Sequence, residues 1–178
     1  YIRFLQDGSY VLEDPLTITG ITQATPAVVT SAGHGLVDGQ WVKLAAVAGM
    51  TEVNGRTFKV DVLTANTFSL LDPLTGANIS SSGYGAYTSG GTASAIYEIV
   101  SPYTAAQLSG LVFDQYRDYI RITSRDDLPQ HDLVRTDHAN WSISETVISP
   151  YVAGPTITGH SSSTPDASIS EEAQTIFA

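Results

Sequence analysis

Four side chains able to bind a metal or move protons crowd one stretch: His131, Asp132, Asp137 and His138. A metal centre needs ligands that converge, with hydrogen bonds behind them that hold them in place. The two histidines flank a predicted strand and turn, a spacing that permits convergence. Solvated loop residues are the default for this composition, and no metal is assigned to them. Asp126 and Asp127, ahead of Leu128-Pro129, offer clustered oxygens of the kind calcium prefers, but the stretch lacks the further acids and glycine spacing of a calcium loop. They are expected to make a turn, in which an Asp side chain accepts from the backbone two residues on. His34 stands between Gly33 and Gly35 and has the chemistry of a general base. No Ser or Cys nucleophile stands near it in a Gly-x-Ser-x-Gly frame, so it reads as a structural turn histidine. Glu98, Asp114 and Asp118 fall on neighbouring predicted strands. Two carboxylates so placed can act as acid and base on a glycosidic bond.

Binding chemistry has its own candidates. Trp41, Tyr84 and Tyr87 are candidate partner contacts, since an aromatic patch serves both sugars and proteins; ordinary packing is the competing role. Trp141 reads as core. Arg121 with Asp118 or Asp132, and Arg135 with Asp114 or Asp132, are expected cross-strand pairs. No cofactor is assigned.

The elements that must position these residues are short strands. Asp7-Gly8 lies between the alternating runs 1–6 and 9–13, the signature of a two-residue hairpin turn. Asp14-Pro15 ends that pairing. Residues 41–44 alternate, and 57–62 alternate most clearly, with Phe58, Val60 and Val62 inward and Lys59 and Asp61 outward. Asn54-Gly55 and Ala65-Asn66 mark turns, and 67–71 returns with Phe68 and Leu70 on one face. The glycine-rich stretch 84–92 is expected to be a bulged or kinked edge. After a strand over 95–100, Thr104 and Gln107 have capping-box spacing and open one helical turn that Gly110 stops. Strands over 111–115, 118–123, 132–135 and 140–144 follow at meander spacing.

These pieces give an all-β protein. A small antiparallel meander or propeller-blade-like sheet, built from 1–16 and 96–152, is interrupted by a small β-barrel over 17–95. A Ser/Thr/Gly/Pro-rich linker or arm follows over 153–178. Hydrophobic residues are 42% of the 178, enough for a packed core, while charged residues are only 15%. The net charge of −10 repels phosphate backbones, which disfavours nucleic-acid binding by counterion release. Such a charge suits a wall that DNA slides past without sticking. There is no cysteine, which removes disulfides, thiolate nucleophiles and cysteine metal sites. No apolar run approaches the ~18 residues of a membrane helix. The chain starts at Tyr1 rather than Met and is read as a segment of something longer.

Two resemblances extend this reading. Residues 17–95 resemble the FCCH-like domain of ubiquitin-activating enzymes, a barrel that recurs in bacteriophage tail proteins. The matching residues include Gly33-His-Gly-Leu36, Gly49-Met-Thr51, Asn54-Gly-Arg-Thr-Phe58, Asn66-Thr-Phe68 and Tyr84-Gly-Ala-Tyr87. The flanks look like a tail nozzle, or tail tubular protein B, of short-tailed phages. That likeness rests on Arg3-Phe4, Tyr97-Glu98-Ile99, Ser101-Pro-Tyr-Thr104, Leu111-Val-Phe113, Gln115, Asp118, Leu128-Pro129, Leu133, Arg135 and Trp141. Tyr116 and Arg117 depart from the pattern, where small residues are expected.

The resemblance implies a non-enzymatic structural protein of the virion. It implies identical subunits in a ring, expected to be a homohexamer, forming part of the DNA-exit conduit of a tail. Other tail proteins or fibres are the further partners, and DNA passes without specific binding. Glu98, Asp114 and Asp118 then lie within a structural pattern. The alternative is a tail adhesin whose barrel loops, 45–52 and 72–83, contact a host glycan or protein.

Overall fold

The computed structural model describes residues 1–125 and 128–146. Asp126-Asp127 and the arm expected over 153–178 lie outside the described residues. The strands are β1 (Ile2–Arg3), β2 (Leu5–Gln6), β3 (Ser9–Tyr10), β4 (Leu16–Thr17), β5 (Gly20–Ile21), β6 (Val28–Thr30), β7 (Trp41–Ala48), β8 (Thr57–Thr64), β9 (Thr67–Leu71), β10 (Ser89–Ala95), β11 (Glu98–Ile99), β12 (Leu111–Tyr116), β13 (Tyr119–Ser124), β14 (His131–Asp137) and β15 (Asn140–Glu145). The all-β reading holds, and the described ladders are antiparallel.

Asp7 and Gly8 take φ of 51° and 77°. These are the two left-handed residues of the turn that matches strand twist, and they close β2 on β3. The strand then returns beside the end of the following module: Leu12 bridges Ile96, and the Tyr97 amide donates to the Val11 carbonyl at 2.9 Å.

Between these points lies a seven-stranded sheet in the order β4-β10-β7-β8-β9-β6-β5. Its two edge strands are successive pieces of one segment. β4 pairs with β10 and β5 with β6, while the amides of Ile18 and Thr19 between them reach the carbonyls of Gly91 and Thr30. The sheet therefore curls until its edges are sequence neighbours, but no ladder joins β4 to β5. The closed barrel expected from sequence is corrected to an open, rolled sheet. β4 and β5 follow one another end to end along one segment, so they cannot lie side by side and pair.

The roll encloses Val29, Val42, Leu44, Met50, Phe58, Val60, Phe68 and Leu70, all without solvent exposure. Burial of each such side chain contributes about 1.5–3 kcal/mol. Alternation on β8 works as expected at Phe58 and Val60, with Asp61 exposed, although Val62 is only half-buried. Two other expectations change. β7 continues to Ala48, well past Leu44, with Ala46 in a left-handed kink at φ 57°. The glycine-rich β10 is an interior strand between β4 and β7 rather than an edge.

The four strands β12-β13-β14-β15 form the expected meander, but the single sheet expected from 1–16 and 96–152 is corrected: β1 pairs with β11 and β2 with β3 in separate two-stranded sheets. It is introduced by a 3-10 turn over Ala105–Gly110, where the Gln107 Oε1 accepts from the Thr104 amide at 2.8 Å, the answering half of the capping box. A second core of Phe4, Val11, Ile122 and Leu133, joined by Tyr97 and Trp141, binds the N-terminal hairpin to this sheet.

Candidate functional site: the outer edge of the four-stranded sheet

The sheet is anchored on one side and open on the other. On the anchored side, the Phe4 ring stacks on Trp141 at 4.3 Å between centroids and lies 5.6 Å from Tyr97. The Tyr97 hydroxyl accepts from the Trp141 amide at 2.8 Å and donates to the Trp141 carbonyl at 3.3 Å. One phenol thus satisfies both backbone groups of a residue on β15, which among the described residues has no strand beyond it in the sheet. Arg3 pairs with Glu98 at 2.8 Å and places its guanidinium 4.0 Å over the Trp41 ring, which meets Tyr10 edge-on. Hairpin, module and sheet are joined through these contacts.

The open side is β12. Among the described residues its only pairing is to β13, with Tyr116 opposite Tyr119 across the two-residue turn. Antiparallel alternation points the backbone groups of Tyr116, Asp114 and Val112 at β13, which leaves those of Phe113 and Gln115 directed outward. The side chains beside this edge are apolar and wet: Phe113 is 62% exposed and Tyr116 70%, with Val112 and Leu108 also exposed. Natural edges are blunted by lysine, proline, bulges or a covering loop. β12 carries none of the residue devices; Asp114 is its one charge. Such an edge is a template for strand addition.

The residues singled out in the sequence fall elsewhere. Trp41 opens β7, whereas Tyr84 and Tyr87 sit by the other end, where the Thr88 amide bonds Ala48. A strand of this length sets them ~20 Å or more apart, so the three aromatics do not form one patch. Each has a local role. The Tyr84 hydroxyl accepts from Arg56 at 2.8 Å, and the Tyr87 hydroxyl meets the carbonyls of Gly90 and Ile18 at 3.0 and 3.2 Å.

His34 is 5% exposed, and both ring nitrogens are used. Nδ1 accepts the Leu36 amide at 3.0 Å, which leaves Nε2 to carry the proton and donate to the Thr64 carbonyl at 3.0 Å. A base with both nitrogens committed in a buried turn is structural, as read. The acid-and-histidine cluster is split by β14. His131 lies at its start, with Nδ1 3.0 Å from the Tyr103 hydroxyl, while Asp137 and His138 lie at its far end. Seven strand residues place these ends roughly 20 Å apart. Among the described residues no group of three or more His, Asp or Glu side chains is arranged to hold a metal.

Of the expected ion pairs, Arg121–Asp132 forms at 3.2 Å. Burial pushes the Asp132 carboxyl up, but hydrogen bonds from Tyr119 and Arg121 outweigh it and hold the group below its ordinary value. Arg135 pairs instead with Asp118, in the turn ahead of β13, at 3.2 Å. Asp114 stands opposite Arg121 across the ladder and is not its partner. The expected adhesin loop 45–52 is half strand, since β7 runs to Ala48.

The exposure of β12 was missed at the sequence level. Its signal was available in the Leu-Val-Phe run flanked by Tyr116, since no lysine or proline guards it.

Residues 23–96 match the family description of the ubiquitin-activating enzyme E1 FCCH domain, a small non-catalytic β module. The match takes in β6 to β10 of the rolled sheet and leaves its edge strands β4 and β5, and β11 to β15, outside it. No curated protein matches the chain.

Proposed function

We infer that this chain is a structural protein of a phage tail, a nozzle or connector component. It assembles edge to edge into a ring that forms part of a DNA-exit conduit. The observation that carries the reading is the apolar edge of β12, which no strand covers among the described residues and where Phe113 is 62% exposed. Water contact along such a strand is unfavourable, and a neighbouring subunit relieves it by continuing the sheet. The nozzle-like residues support the same reading by their placement: Arg3, Phe4, Tyr97, Glu98 and Trp141 converge on one anchor that stiffens the sheet behind its open edge. A net charge of −10 suits a wall that does not retain DNA.

Cryo-electron microscopy of the purified chain tests the proposal. The expected particle is a closed ring, sixfold in the resemblance, with β12 of each subunit at the contact. Monomers at every concentration, or rings that leave β12 in solvent, would overturn it.

A further inference from the structure

A cleft of about 420 Å³ separates the N-terminal hairpin from the turn between β12 and β13. That volume lies within the range of small-ligand sites. Its floor is apolar and firm, since Phe4 and Val11 are 8% and 5% exposed. Its walls carry three of the chain's eight basic residues, Arg3, Arg117 and Arg135, in a protein of net charge −10. Two are engaged, Arg3 with Glu98 and Arg135 with Asp118. The Arg117 guanidinium has no carboxylate partner among the described residues and rests 5.3 Å from the Tyr116 ring.

Arg117 is also held in an unfavourable backbone position. Its φ is 55°, in the left-handed region that a glycine or asparagine turn residue occupies at less cost. A long cation kept in that backbone conformation points to a use for the cation. The Gln6 amide and the His138 imidazole line the same cleft, and neither side chain makes a hydrogen bond within the described residues. Both can donate and accept.

We propose that this cleft binds an acidic saccharide, a hexuronic acid residue within a glycan. One uncommitted guanidinium matches the single carboxylate of each such ring. The amide and imidazole match its hydroxyls, and Val11 and Ile120 match its C–H face. A nucleic acid would need several free cations rather than one. The site lies in the hairpin-and-sheet part of the fold, outside the FCCH-like module and its loops.

The test is an NMR titration of the full chain with tetragalacturonate, with its methyl ester and with a Glu-rich peptide. Tetragalacturonate shifts the Gln6 side-chain and Trp141 indole signals. The ester binds at least about tenfold more weakly, as loss of a charge-assisted contact requires. Arg117→Gly weakens tetragalacturonate binding to a similar degree while the Tm holds or rises, because glycine relieves the left-handed strain. Equal binding of acid and ester, full binding by Arg117→Gly, tighter binding of the peptide, or no shifts at all would each overturn the proposal.

Discussion

The rolled module stands on one close backbone approach, and a glycine series tests it. Gly49 has φ 84°, and a Cβ built on it would fall 2.0 Å from the Ala86 carbonyl oxygen and 2.9 Å from the Thr88 amide. Gly33 has φ 59° with nothing within 4 Å, and Gly83 has open space without the left-handed φ. Substitution by alanine therefore separates the contributions. Gly83→Ala falls within about 0.5 kcal/mol of wild type. Gly33→Ala carries the conformational term alone, about 1 kcal/mol.

Gly49→Ala adds a clash that only withdrawal of residues 84–88 can relieve. That movement forfeits the Thr88-to-Ala48 bond at 3.0 Å and the Gly85 amide bond to Glu52 at 2.9 Å. With about 0.5–1.5 kcal/mol for the neutral bond and 1.5–3 for the charged one, the total reaches about 3–5 kcal/mol. That is a large share of a typical 5–15 kcal/mol. Urea and thermal unfolding of the three variants read it out, with a Tm drop on the order of 10 °C for Gly49→Ala. A Gly49→Ala variant no less stable than Gly33→Ala would refute the close-approach argument.

Three further outcomes follow from the same geometry. Tyr97→Phe strips both backbone groups of Trp141 of their partner and costs about 1–2 kcal/mol in urea unfolding; an unchanged midpoint would remove Tyr97 from the anchor. Partial burial, with the charges of Glu98 and Asp14 adding to it, raises the Glu13 carboxyl above its ordinary 4.5. The folded chain then holds that proton more tightly than the unfolded one, so stability falls as pH rises from 4.5 through the folded value. Glu13→Gln accordingly raises Tm at neutral pH and leaves it unchanged well below 4.5, and an equal shift at both would contradict this. Phe113→Asp, at a position 62% exposed, abolishes self-association in sedimentation and leaves the far-ultraviolet spectrum intact; association as strong as wild type would clear β12 of a role.

Features written in local chemistry were legible in the sequence. Asp7-Gly8 specifies a turn by backbone preference, Phe58 and Val60 alternate because one face of β8 is dry, and Gln107 answers Thr104 within a single turn. The meander was legible for the same reason, since four alternating runs at short spacing leave few other pairings. What was not legible depends on contacts distant in sequence. Glycines at 90 and 91 signalled a kink, but whether β10 was edge or interior depended on β4, more than seventy residues earlier. The Arg135 partner turned on which acid the β12–β13 turn carried upward, and the cluster His131 to His138 was separated by the length of β14. The cleft required the hairpin of residues 1–10 to fold against a sheet more than a hundred residues on, so its mixture of Gln6, Arg117 and His138 had no local signature.

The most direct measurement is amide hydrogen exchange at Phe113 and Gln115, two β12 residues whose backbone groups point away from β13. In a chain that assembles by extending its sheet, both amides exchange freely at low concentration and become protected as concentration rises, while the inward-facing Asp114 is protected throughout. Fast exchange at Phe113 and Gln115 at every concentration, in a sample shown to be assembled, would contradict the account.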